Sequence, residues 1–434
     1  MDFFEIINKK KNKQSLTYDE YFYFVNSLIN GEMPDYQAAA LLMAIYLNGM
    51  NDTELFDLTQ VLIDTSEKIN PVAKNFLHIT VDKHSSGGIG DKVSLILSPI
   101  LTALGYDVVK LSGRGLSFTG GTIDKLEAIG ICDAYDSKTF QINLDKTHIA
   151  LMLQSENIVP GDKKLYALRD VTGTVDSFPL IAASIMSKKL IIQSDYIFLD
   201  IKVGDGAFFK TVREAEQFSE LILKIAQKFN RKTIIHLTSM SQPLGRAIGN
   251  AIEVKEAVDF LQNKFHSSTL KDLIFQFCAD ILIDSKVCSS YDDAIKQIEN
   301  VLINKQAYNA FVNFVNTFSN DPQKVIADKY FDPQYKLDIY APKDGYAFFN
   351  EVSEIGLLAN HLGAGRFKKE DILDYQAGIW LYFDPYQYVK QGDLIATLYA
   401  NKPINNELSQ KFLNNLVFNN EDISAPAMII KKIK

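Results

Sequence analysis

Between residues 16 and 66 apolar side chains recur every three or four positions, with breaks at 31–35 and 49–52. That spacing predicts several short packed helices. Pro34 suits the first turn of one of them, where its missing N–H costs nothing. After Asn70-Pro71 the texture changes. Short apolar runs at 78–81 and 108–111 each feed a glycine-rich loop, 85–90 and 112–115. Strand, loop and helix in alternation predict an α/β domain. Helical spacing returns over 163–193, and a strand-like run at 196–203 then ends in Gly204-Asp205-Gly206. A helix near 211–229, a strand at 233–237 and a helix near 254–265 continue the rhythm. The helical unit is therefore discontinuous, residues 1–68 plus 162–194, and the α/β unit takes 69–161 plus 195–338. From about residue 341 short strands punctuated by Gly345, Gly392 and Pro426 indicate a third unit over 339–434. The fold class expected is α/β: a small discontinuous α-helical domain, a large α/β domain with a mixed sheet and phosphate-binding loops, and a C-terminal α+β domain.

Composition narrows the function more than the fold. With 47% hydrophobic and 23% charged residues in 434, the chain can bury an ample core. Its apolar runs fall short of the roughly 20 residues that a membrane-crossing helix needs, and Asp2 to Glu5 followed by a basic cluster does not read as a leader peptide. A cytoplasmic protein without a membrane partner is expected. The net charge of −8 offers no field for a nucleic-acid backbone, so any phosphate bound should be small and locally caged. Cys132, Cys278 and Cys288 are odd in number and spaced for neither a disulfide framework nor a zinc site. They read as reduced thiols.

Three clusters carry candidate chemistry. Lys83-His84-Ser85-Ser86-Gly87-Gly88-Ile89-Gly90-Asp91-Lys92 places cations, hydroxyls and three glycines in one loop after a strand. Glycine lets backbone N–H groups approach an anion, and hydroxyls and ammonium add hydrogen bonds and charge. The spacing is neither that of a P-loop nor of a dinucleotide fingerprint. A second such loop, Ser112-Gly113-Arg114-Gly115 and then Thr119-Gly120-Gly121-Thr122, also follows a strand and opens a helix. Two loops on neighbouring strands can converge on one phosphate at the carboxyl edge of the sheet. The third cluster is helical: Tyr166 and Arg169, then Ser184 and Lys188, which are four apart and share one face. A hydroxyl, an ammonium and a guanidinium can hold a planar ring bearing carbonyl and imide groups. An ordinary solvated face would carry the same residues.

The resemblance to a family decides between these. Ser112-Gly113-Arg114-Gly115-Leu116 with Thr119-Gly120-Gly121-Thr122-Ile123-Asp124-Lys125-Leu126-Glu127 closely resembles the signature of the thymidine and pyrimidine-nucleoside phosphorylases. So do Val81-Asp82-Lys83-His84-Ser85, Leu165-Tyr166-Ala167-Leu168-Arg169-Asp170, Lys202-Val203-Gly204-Asp205-Gly206, Gly249-Asn250-Ala251-Ile252-Glu253-Val254-Lys255-Glu256 and Leu362-Gly363-Ala364-Gly365-Arg366. The likeness spans nearly the whole chain.

It implies phosphate-dependent, reversible cleavage of thymidine, deoxyuridine and uridine to free base and sugar 1-phosphate by a homodimeric pentosyltransferase. Inorganic phosphate is the co-substrate, and no further cofactor is required. Carried over by position, Lys83, Ser85, Ser94, Ser112 and Thr122 bind phosphate. Tyr166, Arg169, Ser184, Lys188 and Leu116 hold the base, and His84, Arg169 and Lys188 serve catalysis. Some relatives hold a monovalent cation, and Gly90, Leu244, Ala247 and Glu256 match that site, although Lys92 stands where a hydroxyl would be more convenient. Ser117-Phe118 replaces a usual glycine-histidine, which bears on selectivity. Ser86, Ile89 and Ser239 are further departures. The rival readings are an anthranilate-type phosphoribosyltransferase, which shares glycine-rich phosphate loops, and a non-catalytic homologue kept as a binding protein.

Overall fold

The computed structural model describes residues 1–115, 120–132, 137–153, 158–368 and 371–434. Four helices come first: α1 (Phe3–Lys11), α2 (Tyr18–Asn30), α3 (Asp35–Asn48) and α4 (Asp52–Asp64). Thr17 with Glu20 and Asn51 with Glu54 form capping boxes that start α2 and α4. Helix α1 was not legible in the apolar spacing. Its Lys10 is buried against Glu54, Nζ to Oε1 2.6 Å, and the same carboxylate accepts the Leu16 N–H and the Tyr21 hydroxyl. One buried carboxylate thus joins three helices, and removing its cation would cost about 3–5 kcal/mol.

The chain then builds β1 (Ile79–Ser85), α5 (Val93–Ala103), β2 (Tyr106–Ser112), α6 (Thr122–Glu127), α7 (Ser137–Thr147) and β3 (Ile149–Leu153). It returns to the helical unit for α8 (Pro160–Thr172) and α9 (Phe178–Ile191), which pack on α2, α3 and α4. The outward and return connections lie side by side, joined by hydrogen bonds from Ile69 N–H to Ile191 O and from Gln193 N–H to Ile69 O. Strands β4 (Tyr196–Val203) and β5 (Lys232–Ser239) complete the parallel part of the sheet. Its order is β5-β4-β1-β2-β3, with an antiparallel strand, Ile429–Ile433, at the β5 edge. The sheet is mixed, as expected. One face lies on α5 and the helices Ala251–Leu261 and Ser268–Asp284, and the other faces the helical unit.

Strand pairing crosses the boundaries between the units read from the sequence at three places. The strand Tyr335–Tyr340 straddles the boundary at 338/339 yet pairs along its length with Leu394–Ala400. Ala247–Gly249, expected in the α/β unit, forms the edge of the C-terminal sheet beside Gly378–Leu381. Ile429–Ile433, expected in the C-terminal unit, belongs to the large sheet. Each pairing joins segments far apart in sequence, so no local periodicity announces it. Lys432 fixes the returning strand through Asp280 (2.6 Å) and Asp284 (2.8 Å).

Candidate active site

The two-residue period of a strand sorts the residues at the carboxyl edge of the sheet. On β1, Lys83 and Ser85 point to the α5 face, while Asp82 and His84 point to the helical unit, where Asp82 holds Lys189 at 2.8 Å. On β2, Lys110 and Ser112 share the side of Tyr106 and Val108, which is the α5 face. On β4, Asp200 and Lys202 fall on that side too. The result is a knot of ammonium groups under the first glycine loop. Lys83 and Lys202 meet Asp200 at 3.3 and 2.9 Å, and Lys110 donates to the Lys83 carbonyl at 3.0 Å.

A cavity of about 490 Å³ opens above this knot, between the carboxyl edge of the sheet and helices α8 and α9. On the sheet side it is lined by Ser85, Asp91, Ser94, Lys110, Ser112 and Thr122 with the glycines of both loops. Ser85 donates to Asp91 at 2.5 Å, and Asp91 also accepts the Val93 N–H at the start of α5. Burial pushes the Asp91 carboxyl up, but Lys83 and Lys202 outweigh it and hold the group far below the usual carboxylate range. The Ser112 hydroxyl is buried and, among the described residues, has no hydrogen-bond partner. A buried donor left open to a cavity is what an incoming oxyanion would satisfy. Gly121 brings the second loop close: a Cβ there would run into Gly115 N and the Arg114 backbone. Asp124 ties the loop, accepting from Gly115 N–H and Gly121 N–H.

The helical side presents the other set. Tyr166 and Arg169 come from α8, and Ser184 and Lys188 from α9. The predicted i, i+4 pair is formed, Lys188 Nζ to Ser184 Oγ 3.2 Å. Lys188 is also held by the buried Asp162 at 2.5 Å. Arg169 is buried, with its guanidinium fastened to the carbonyls of Thr174 (3.1 Å) and Val175 (2.5 Å). His84 lines the same cavity. Burial first, and then the fields of Lys189, Lys110, Lys83 and Lys188, push its imidazole well below the ordinary range. At neutral pH it therefore offers a neutral N–H rather than an imidazolium. The apolar walls are Val175, Ile181, Ile185, Phe208 and Phe209.

Of the residues singled out in the sequence, His84, Ser85, Ser94, Ser112, Thr122, Tyr166, Arg169, Ser184 and Lys188 line one cavity. Lys83 does not. It is 2% exposed, packed beside Asp200 and the Phe277 ring, and reaches the loop from beneath as a neighbour of Asp91. Leu116, Ser117 and Phe118 lie outside the described residues. Sequence reasoning missed Lys110, Asp91 and Asp162. The alternation of β2 that puts Lys110 beside Ser112 was the available signal for the first. Burial pushes the Lys110 ammonium down to about 7, helped by Lys83 and Lys189.

The four positions matched to a monovalent cation surround a lysine side chain. The Lys92 ammonium donates to the Leu244 carbonyl at 2.6 Å and lies 3.0 Å from Glu256 Oε2. The Glu256 carboxylate also accepts the N–H groups of Arg246 and Ala247. A Cβ on Gly90 would meet Leu244 O at 2.5 Å and Ala247 O at 3.2 Å.

Comparison with known proteins gives the family of the three parts of the chain. Residues 77–308 match the glycosyl transferase family a/b domain, residues 4–66 its helical bundle domain, and residues 350–419 the pyrimidine nucleoside phosphorylase C-terminal domain. The thymidine phosphorylase of Mycoplasmoides pirum is 46% identical over 412 residues, 95% of this chain and 98% of that protein. The pyrimidine-nucleoside phosphorylase of Staphylococcus epidermidis is 40% identical over 435 residues, all of both chains. Among solved structures, anthranilate phosphoribosyltransferase from Thermus thermophilus superposes with a TM-score of 0.57 at 14% identity, over 72% of this chain and 99% of that one. That likeness is one of fold.

Proposed function

Because the chain belongs to the pyrimidine-nucleoside phosphorylase family of glycosyl transferases, we propose that it cleaves thymidine, deoxyuridine and uridine with inorganic phosphate, releasing the base and the sugar 1-phosphate. The observation that carries this is the single cavity with two unlike walls. Hydroxyls, glycine N–H groups and the Lys110 ammonium stand at the sheet, and Arg169, Ser184 and Lys188 stand at the helices. One wall suits an oxyanion and the other a planar anion.

In this reading the phosphate oxygen forms a bond to the anomeric carbon while the carbon–nitrogen bond breaks and its electron pair leaves with the base. Positive charge grows on the sugar and negative charge on the base, so fixed charges aimed at both lower the barrier. Phosphate is held by Ser85, Ser94, Ser112, Thr122 and Lys110, with Lys83 supporting Asp91 from below. Arg169 and Lys188 face the carbonyl oxygens of the base, Ser184 its imide edge, and His84 N–H hydrogen-bonds a carbonyl oxygen as charge develops. Tyr166 packs beside base and sugar. Sheet and helices approaching each other would exclude water, the competing nucleophile. We further propose a cytoplasmic homodimer that needs no cofactor beyond phosphate.

Two cations facing ring carbonyls reject cytosine, whose amino group leaves one of them unpaired. With saturating phosphate, thymidine and uridine should be cleaved, and cytidine and inosine should be slower by about 10²-fold or more. Without phosphate no base should be released from any of them. Undiminished thymine release in phosphate-free buffer, or efficient use of cytidine, refutes the reading. The phosphoribosyltransferase alternative rests on fold likeness at 14% identity, whereas the phosphorylase reading rests on relatives 40–46% identical over nearly the whole chain.

A further inference from the structure

We infer that the Lys92 ammonium is a built-in replacement for a monovalent cation, so that this chain closes the junction behind its phosphate loop without binding K⁺. The junction has three strands of chain to hold together: the loop 87–92 that carries Asp91, the turn 244–247, and the helix Ala251–Leu261 that carries Glu256. Lys92 is fully buried, 0% exposed, and its ammonium touches both of the other segments, 2.6 Å from Leu244 O and 3.0 Å from Glu256 Oε2. The Leu244 N–H returns a bond to Ile89 O at 3.0 Å. Around this centre the packing is closed. A Cβ at Gly245, whose φ is +77°, would lie 2.8 Å from both Glu256 oxygens and from Lys92 Nζ.

An internal ammonium differs from a bound ion in one decisive respect: it cannot dissociate. A second cation brought to the same carbonyl and carboxylate would meet a like charge within a few ångström and find its oxygens already used. Lys92 also begins α5, next to Asp91 and two residues before Ser94, so it is a positioning residue for the phosphate wall and touches no reactant. The inference rests on the functional reading only for its catalytic readout, since the junction itself is structural.

The test compares KCl with choline chloride at constant ionic strength. Wild type should show the same Tm and the same phosphate KM in both salts. A Tm or phosphate affinity that rises with K⁺ would overturn the inference, whether or not the protein proves to be a phosphorylase. Lys92→Thr, which supplies a hydroxyl in place of the ammonium, should lose Tm and weaken phosphate binding in choline chloride and recover both in KCl. A Lys92→Thr protein equal to wild type in choline chloride, or destabilised and indifferent to K⁺, counts against it. Should that variant not fold in either salt, the wild-type comparison decides alone.

Discussion

Lys188→Met should lower kcat/KM for thymidine by about 10²–10³-fold, the loss typical when a fixed donor aimed at developing negative charge is removed. The side chain sits at the cavity with its ammonium 3.2 Å from Ser184 and 2.5 Å from Asp162. Methionine keeps most of the apolar stem, so the α8–α9 packing survives while the charge goes. The loss has two sources that must be separated. One is the missing contact to the departing base. The other is Asp162, which is buried and would be left without its cation, costing stability. The double variant Lys188→Met with Asp162→Asn removes the second source. It should recover Tm and keep the same loss in kcat/KM, and the phosphate KM should be unchanged in both variants. Recovery of activity in the double variant would show that Lys188 only neutralises Asp162.

Phosphate binding should weaken as pH rises above 7, because the group that faces it on β2 is a lysine held near neutrality. Burial, with Lys83 and Lys189 close by, brings Lys110 down to about 7 in the empty cavity. The sign follows directly. The charged form is the one that attracts an anion, and it is complete well below 7, half present near 7 and lost as the pH rises further. If only that form binds, the phosphate KM should rise by up to about tenfold per pH unit beyond 7. Bound phosphate would restore the charge, so binding should take up a proton at pH 8. Phosphate's own ionisation runs the other way but is common to every variant. Lys110→Arg keeps its charge over this range, and its KM relative to wild type should fall steadily from pH 7 to 9. Lys110→Met should raise the KM roughly 10- to 100-fold at pH 6.5, as expected for one charge-assisted hydrogen bond. A constant ratio of wild type to Lys110→Arg across that range would remove Lys110 from the phosphate wall.

What the chain spells out locally it spells out well. Glycines and hydroxyls in the two loops occupy consecutive positions, so their joint character is visible without a fold, and the Ser184–Lys188 pair follows from the helical repeat. The α/β alternation and the return of helical spacing at 163–193 are equally local, because each reflects which face of one element is buried. Tertiary structure decided what depends on partners far along the chain. Lys10, Lys92 and Lys189 look like surface lysines in sequence and are buried because Glu54, Glu256 and Asp82 wait for them in other elements. The first of these hid α1 altogether. Lys83 and Lys110 exchange the prominence expected of them, since both lie on one face of the sheet but only Lys110 reaches the cavity. The edge strand Ile429–Ile433 pairs with β5, which lies far earlier in the chain, and such a pairing has no period to read. The reason is common to all of them. Local geometry sets which side chains share a face, whereas a buried charge or an edge strand is stable only where a distant segment supplies its counter-charge or its hydrogen bonds.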